Sequence, residues 1–181
     1  MTNQELIDYA ISCGFTKAKV VDTKDIVFDP SFRPYCAENY CGKYNENYTC
    51  PPVCGTPEEM EQKITCHQKA LVLESIWKVK DYYDNPAIKQ GKATHNRWGI
   101  QLVQYARSQG MEGFLVGASG CSLCTPCKMK TGEPCRYPDL CWSCMSAYCI
   151  FVKHLADLCE MNYNPGSGLV TFYGMFVFDP Q

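Results

Sequence analysis

Cys121, Cys124 and Cys127 are separated from one another by two residues each, and Cys135 follows after seven more, within Gly120-Cys-Ser-Leu-Cys-Thr-Pro-Cys-Lys-Met-Lys-Thr-Gly-Glu-Pro-Cys-Arg136. Two-residue gaps make tight turns, so the sulfurs of such a run can point inward around one centre. Bacterial ferredoxin loops hold a cubane 4Fe–4S cluster with runs of this kind, usually through four thiolates. Zinc also accepts four thiolates, but its knuckles usually come as two separated pairs of cysteines. The run therefore points to a 4Fe–4S cluster first, with zinc as the alternative.

A second group, Cys36, Cys41, Cys50 and Cys54, has four, eight and three intervening residues. That spacing matches no common ferredoxin or zinc pattern. These cysteines lie in residues 29–56, rich in proline, glycine, asparagine and tyrosine, which read as loop. A loop of that length inside a compact domain needs a reason, and a metal gripped at several points supplies one. One cluster is expected on the first run, and a second metal site here. A third group is Cys141-Trp-Ser-Cys144 with Cys149. Pro138-Asp139 can cap a helix from about Leu140 to Met161, whose N-terminus would stabilise thiolates. On it, Cys141 and Cys144 could form a redox dithiol, donate ligands to a neighbouring cluster, or pack beneath it.

The elements that must position these loops alternate. Residues 2–13 read as a helix with a Thr2/Glu5 capping box and Gly14 as its stop, with Cys13 as a small core residue. Residues 17–22 read as a strand that Ile26 to Phe28 could extend. Thr56-Pro57-Glu58-Glu59 opens a second helix, and residues 69–77 form a second strand. Cys66 and His67 between them read as a buried thiol beside a polar histidine. Asn85-Pro86 starts a third helix running to about Ser108, with Trp98, Leu102, Tyr105 and Ala106 facing inward and His95 and Arg97 on a solvated face. Residues 113–117 form a strand that delivers the chain into the Cys121 loop. Residues 169–178, apolar on both faces, form the last strand and suit the middle of the sheet, and Cys159 reads as core. The sum is an α/β sandwich with a roughly four-stranded mixed sheet, flanking helices and two cysteine-rich metal-binding loops, expected as one domain over residues 1–181.

Composition bounds the partners. The 181 residues carry a formal net charge of −2, with 46% hydrophobic and 20% charged residues. That fits a folded globular chain and gives no electrostatic case for nucleic acid or an anionic membrane. No apolar run approaches the roughly 20 residues of a membrane helix. The N-terminal residues lack a basic region and an apolar signal core, so a cytoplasmic protein is expected. Fourteen cysteines would suit a disulfide scaffold only in a small secreted domain; in a reducing compartment they point to metal or catalytic thiols.

The segments Phe32-Arg33-Pro34-Tyr35-Cys36, Cys41-Gly42-Lys43-Tyr44, Cys50-Pro51-Pro52, the Cys121/Cys124/Cys127 run and Pro134-Cys135-Arg136-Tyr137-Pro138 together resemble a prokaryotic family of predicted metal-binding proteins. That family is known only as a domain of unknown function, common in anaerobes and methanogens. The resemblance implies Cys36, Cys41, Cys50, Cys121, Cys124, Cys127 and Cys135 as ligands, and no reaction. Cys54, Cys141, Cys144 and Cys149 depart from the family pattern, as additional ligands or surplus thiols.

Three functions follow. One is an iron–sulfur redox protein working with a redox partner protein in anaerobic metabolism, with Lys128, Lys130 and Arg136 offsetting the charge of the centre. Another is a zinc-stabilised structural or interaction module. The last is a reductase using a cluster, or the Cys141/Cys144 dithiol, on a substrate. A nucleophile elbow, a His-Glu-x-x-His helix, a dinucleotide fingerprint and a Walker loop are all absent from the sequence.

Overall fold

The structure, a computed structural model, describes residues 1–180. Its elements run α1 (Asn3–Cys13), β1 (Lys17–Asp22), α2 (Arg33–Ala37), α3 (Pro57–Thr65), β2 (Lys69–Lys78), α4 (Asn85–Ser108), β3 (Gly113–Gly117), β4 (Ser143–Cys144), α5 (Val152–Leu158) and β5 (Leu169–Phe178). The strands form one mixed sheet in the order β1-β2-β5-β3-β4. All neighbours are antiparallel except β3 and β4. β5 is the central strand, as its two apolar faces require.

Strand alternation divides the core between the two faces of the sheet. Leu71 and Leu73 of β2, with Phe176 and Phe178 of β5, pack against Leu6 and Ala10 of α1 and Leu102 and Ala106 of α4. Ala70 and Val72, with Met175 and Val177, pack on the other face against Met60 and Ile64 of α3 and Leu155 of α5. Both early helices are capped as their sequences dictate. Thr2 accepts from the Glu5 amide at 3.2 Å while the Glu5 carboxylate accepts from the Thr2 amide at 2.7 Å. Thr56 and Glu59 repeat the arrangement at 3.2 and 2.8 Å.

The sheet has five strands where four were expected, because the chain after Cys135 does not form the long helix its apolar spacing suggested. Only Val152–Leu158 is helical there. Trp142 packs in the core shared with α1 and α4, whereas Met145 packs in the core on the opposite face. Residues three apart on a helix share a face, so no helix could send these two side chains to opposite faces. Ser143 and Cys144 instead extend alongside Val116 and Gly117 at the sheet edge. Within residues 29–56, read as loop, Arg33–Ala37 is helical. Ile26 to Phe28 adds no strand residues to β1; Phe28 bridges Ile150 instead.

His95 also departs from expectation. It lies on the buried face of α4, 1% exposed, between Gly91 and Gly99. At Gly91 a Cβ would meet Phe172 and Trp77, and at Gly99 it would meet Leu115, so the helix lies close against the sheet at this line. Ser75 Oγ lies 2.7 Å from His95 Nδ1 and also accepts from the Trp77 indole at 2.8 Å. Complete burial lowers the His95 pKa to about 3, which keeps the imidazole neutral.

Candidate metal centre

The approach to the Cys121 loop is held by two side chains. Asn96 of α4 donates to the Ala118 carbonyl and accepts from the Ala118 amide, both at 2.8 Å. Trp142 donates its indole N–H to the Ser119 carbonyl at 3.0 Å. The chain leaving β3 is therefore pinned on both sides before it reaches Gly120. Ser119 sits at φ +69°, a left-handed turn that swings the backbone away from the strand direction.

Beyond this point the two cysteine-rich loops meet. Gly120 lies against Cys50: a Cβ at Gly120 would sit 2.7 Å from Cys50 Sγ. Tyr48 donates its hydroxyl proton to the Glu133 carbonyl at 2.7 Å. Lys130 donates to the Glu46 carboxylate at 2.7 Å and to the Asn45 carbonyl at 3.3 Å.

The thiols gather in two places. Cys121, Cys124, Cys127, Cys135 and Cys141 line one small pocket together with Tyr48, Leu123 and Tyr137. Cys36, Cys41, Cys50 and Cys144 lie on the wall of a much larger cleft. Cys141 and Cys144 thus line different pockets, and neither lies on a helix. Of Cys36, Cys41, Cys50 and Cys54, the first three line the cleft and Cys54 does not. Cys54 is buried, lines neither chamber, and lies 3.8 Å from Arg33 Nη1. Cys144, about ninety residues further along the chain than Cys50, also lines the cleft, placed there by its pairing beside Gly117. Cys149 is buried and lines neither chamber.

Burial raises three of these thiols, with neighbouring sulfurs contributing after it. Burial pushes Cys50 up to about 12, with Cys144 the next contributor. Burial and then Cys144 raise Cys36 to about 11. In the other group, burial followed by Cys135 and Cys121 pushes Cys141 up to about 11. Burial disfavours the thiolate form, and a bound cation would favour it. Thiols gathered in two places are the donor type of metal-thiolate centres.

The charged residues near the loops are less free than their sequence suggests. Lys128 pairs with Glu133 at 2.6 Å and Lys130 with Glu46 at 2.7 Å, so two of the three expected counter-charges are already partnered. A cation the residue types alone did not single out lies beside Cys54. Arg33 donates to the Gly55 carbonyl at 2.9 Å and the Ala147 carbonyl at 2.8 Å, which fixes its guanidinium next to Cys54. Its place immediately before Pro34-Tyr35-Cys36 was the available signal.

Among the described residues, no three His, Cys, Asp or Glu side chains converge closely enough to hold a single metal ion. All fourteen cysteines are free thiols. Cys13 is half-buried against the α1/α4 core and Cys159 is buried in the core on the other face. Cys66 is exposed, contrary to expectation, and the neighbouring His67 lies 2.8 Å from the Asp179 carboxylate. No helix of the described residues is long and apolar enough to cross a membrane.

One family matches the chain: its description is "Predicted metal-binding protein (DUF2284)", and the match spans residues 19–178. The span takes in every thiol of both chambers. No curated protein and no solved structure matches.

Proposed function

Because the chain belongs to this family of predicted metal-binding proteins, we propose that it carries two metal-thiolate centres of the iron–sulfur type and works as a redox or electron-transfer protein. One centre would be held by Cys121, Cys124, Cys127 and Cys135, with Cys141 alongside. The other would be held by Cys36, Cys41, Cys50 and Cys144. The observation that carries this reading is the division of nine thiols by the fold into two groups.

The C-x2-C-x2-C run from Cys121 to Cys127 favours a cluster over zinc, whose knuckles usually come as two separated pairs of cysteines. When bound, a 4Fe–4S centre supplies one-electron chemistry. The contributions of the chain are positional. Asn96 and Trp142 hold the mouth of one loop, Tyr48 and Lys130 tie the loops together, and Tyr48, Leu123 and Tyr137 line the five-thiol pocket. Gly120 lets the two groups approach each other, the arrangement that passage of electrons between two centres requires. A reducing cytoplasm and a redox partner protein belong to the same reading.

The test is iron and acid-labile sulfide analysis of protein purified without oxygen, with EPR of the reduced form. About eight irons and eight sulfides per chain, with spectra of two interacting centres, are expected for two such clusters. Stoichiometric zinc in a colourless sample overturns the assignment in favour of a zinc-stabilised module.

A further inference from the structure

The cleft that carries Cys36, Cys41, Cys50 and Cys144 is far larger than four thiols account for. Its volume is about 780 Å³, within the roughly 300–1,000 Å³ of small-molecule sites. It runs from the thiols to β5, where Phe172 and Tyr173 form part of its wall, with Tyr44, Tyr82 and Tyr163 around it. Among the described residues three lysines line it, Lys43, Lys92 and Lys153, and no aspartate or glutamate does.

The lysines are not equivalent. Lys153 is engaged with Asp157 at 2.7 Å. Lys43 and Lys92 make no ion pair among the described residues. Lys43 lies along Gly120, its Cγ 3.5 Å from the position a Cβ would take there, so it stands beside the thiols. Lys92 sits over the Phe172 ring, 5.8 Å from its centroid. Both are half-buried. Two half-buried ammonium groups without carboxylate partners, in a cleft that also carries Phe172 and several tyrosine rings, complement an anion with a flat apolar body.

We infer that this cleft binds a small organic oxyanion, a carboxylate or phosphate on a planar apolar body, with Lys43 and Lys92 as its charge partners. The ligand would lie against the wall that holds Cys36, Cys41 and Cys144, which makes it the substrate class of the adjacent centre. That last assignment rests on the two-centre reading above, whereas anion binding itself does not.

Calorimetric titration of the anaerobically purified protein with benzoate, phenyl phosphate and the neutral benzyl alcohol tests the inference. Saturable one-to-one binding of benzoate or phenyl phosphate is expected, without comparable binding of benzyl alcohol. Whichever anion binds identifies the head group. Lys92→Gln and Lys43→Gln should each weaken that binding about tenfold, while Lys89→Gln, on α4 outside the cleft, leaves it unchanged. Should Lys92→Gln fail to fold, Lys43→Gln, in a loop outside both cores, decides alone. Binding that ignores charge, or that survives both substitutions, overturns the inference. Iron analysis of the same samples separates the two readings. Iron-replete protein that binds neither anion sinks this inference alone, and metal-free protein that binds benzoate sinks the cluster assignment alone.

Discussion

Cys50 Sγ lies 2.7 Å from the point a Cβ on Gly120 would occupy, so the last residue before the Cys121 run bears directly on the thiol group of the other loop. That separation is closer than real Cβ contacts allow, and the Asn47 amide and the Lys43 stem, each 3.5 Å away, leave little room for retreat. Gly120→Ala should displace Cys50 and cost roughly 1–3 kcal/mol as an overpacked substitution. Metal analysis beside a thermal melt checks this: the variant is expected to fold, with metal lost chiefly from the Cys36/Cys41/Cys50/Cys144 site.

Cys141 and Cys144 should separate cleanly as single variants, because each lines a different chamber. Cys144→Ser removes one of only four thiols and should cut iron to about half that of the parent. Cys141→Ser leaves four thiols in its pocket and should retain iron close to the parent level. Equal loss from both variants would mean that the two residues serve one centre.

The Asn96 side chain is 5% exposed and makes both of its hydrogen bonds to the Ala118 backbone. Asn96→Ala leaves a buried amide and a buried carbonyl without partners, at roughly 1–3 kcal/mol for each orphaned group. Urea unfolding should show that loss. Amide exchange should be fastest around residues 118–121, because the pin at the end of β3 is gone.

His95 makes stability depend on pH. Its folded pKa is lowered to about 3 by burial, while in the unfolded chain it titrates near its ordinary value of about 6.5. Between these values the unfolded state binds a proton that the folded state does not. Stability therefore falls as pH drops from about 6.5 toward 3, by about 1.4 kcal/mol per pH unit at the limiting slope, and is unaffected by this group above 6.5. Replacing the group by His95→Gln should remove that part of the slope, read as the difference between parent and variant in urea unfolding at pH 7 and pH 5.

Metal removal should loosen the loops and spare the sheet. The two cores draw chiefly on α1, α3, α4, α5, β2, β3 and β5, with few residues from 33–56 or 120–137. Those loops are tied to each other by a handful of polar contacts such as Tyr48 to Glu133. Limited proteolysis of chelator-treated protein should cut within 36–56 and 120–137 first, with the strands still protected from exchange.

Local chemistry made most of the scaffold readable in the sequence. Thr2/Glu5 and Thr56/Glu59 satisfy helix-end amides within four residues, and the apolar faces of residues 69–77 and 169–178 have nowhere to go but a buried sheet. The Cys121 to Cys135 run is equally local, since tight turns alone bring those thiols to one pocket. Tertiary structure decided the rest. Cys144 lines the cleft and Cys54 does not, because Trp142 and Met145 belong to opposite faces of the sheet. That division pulls Ser143 and Cys144 into an edge strand beside Gly117 and carries a thiol across some ninety residues to Cys50. His95 moved from the surface to the core for a similar reason, since the close approach of α4 at Gly91 and Gly99 depends on the sheet it lies against. Spacing along a chain reports which side chains can share one turn; only the packing of the two sheet faces sets which distant loops share a wall.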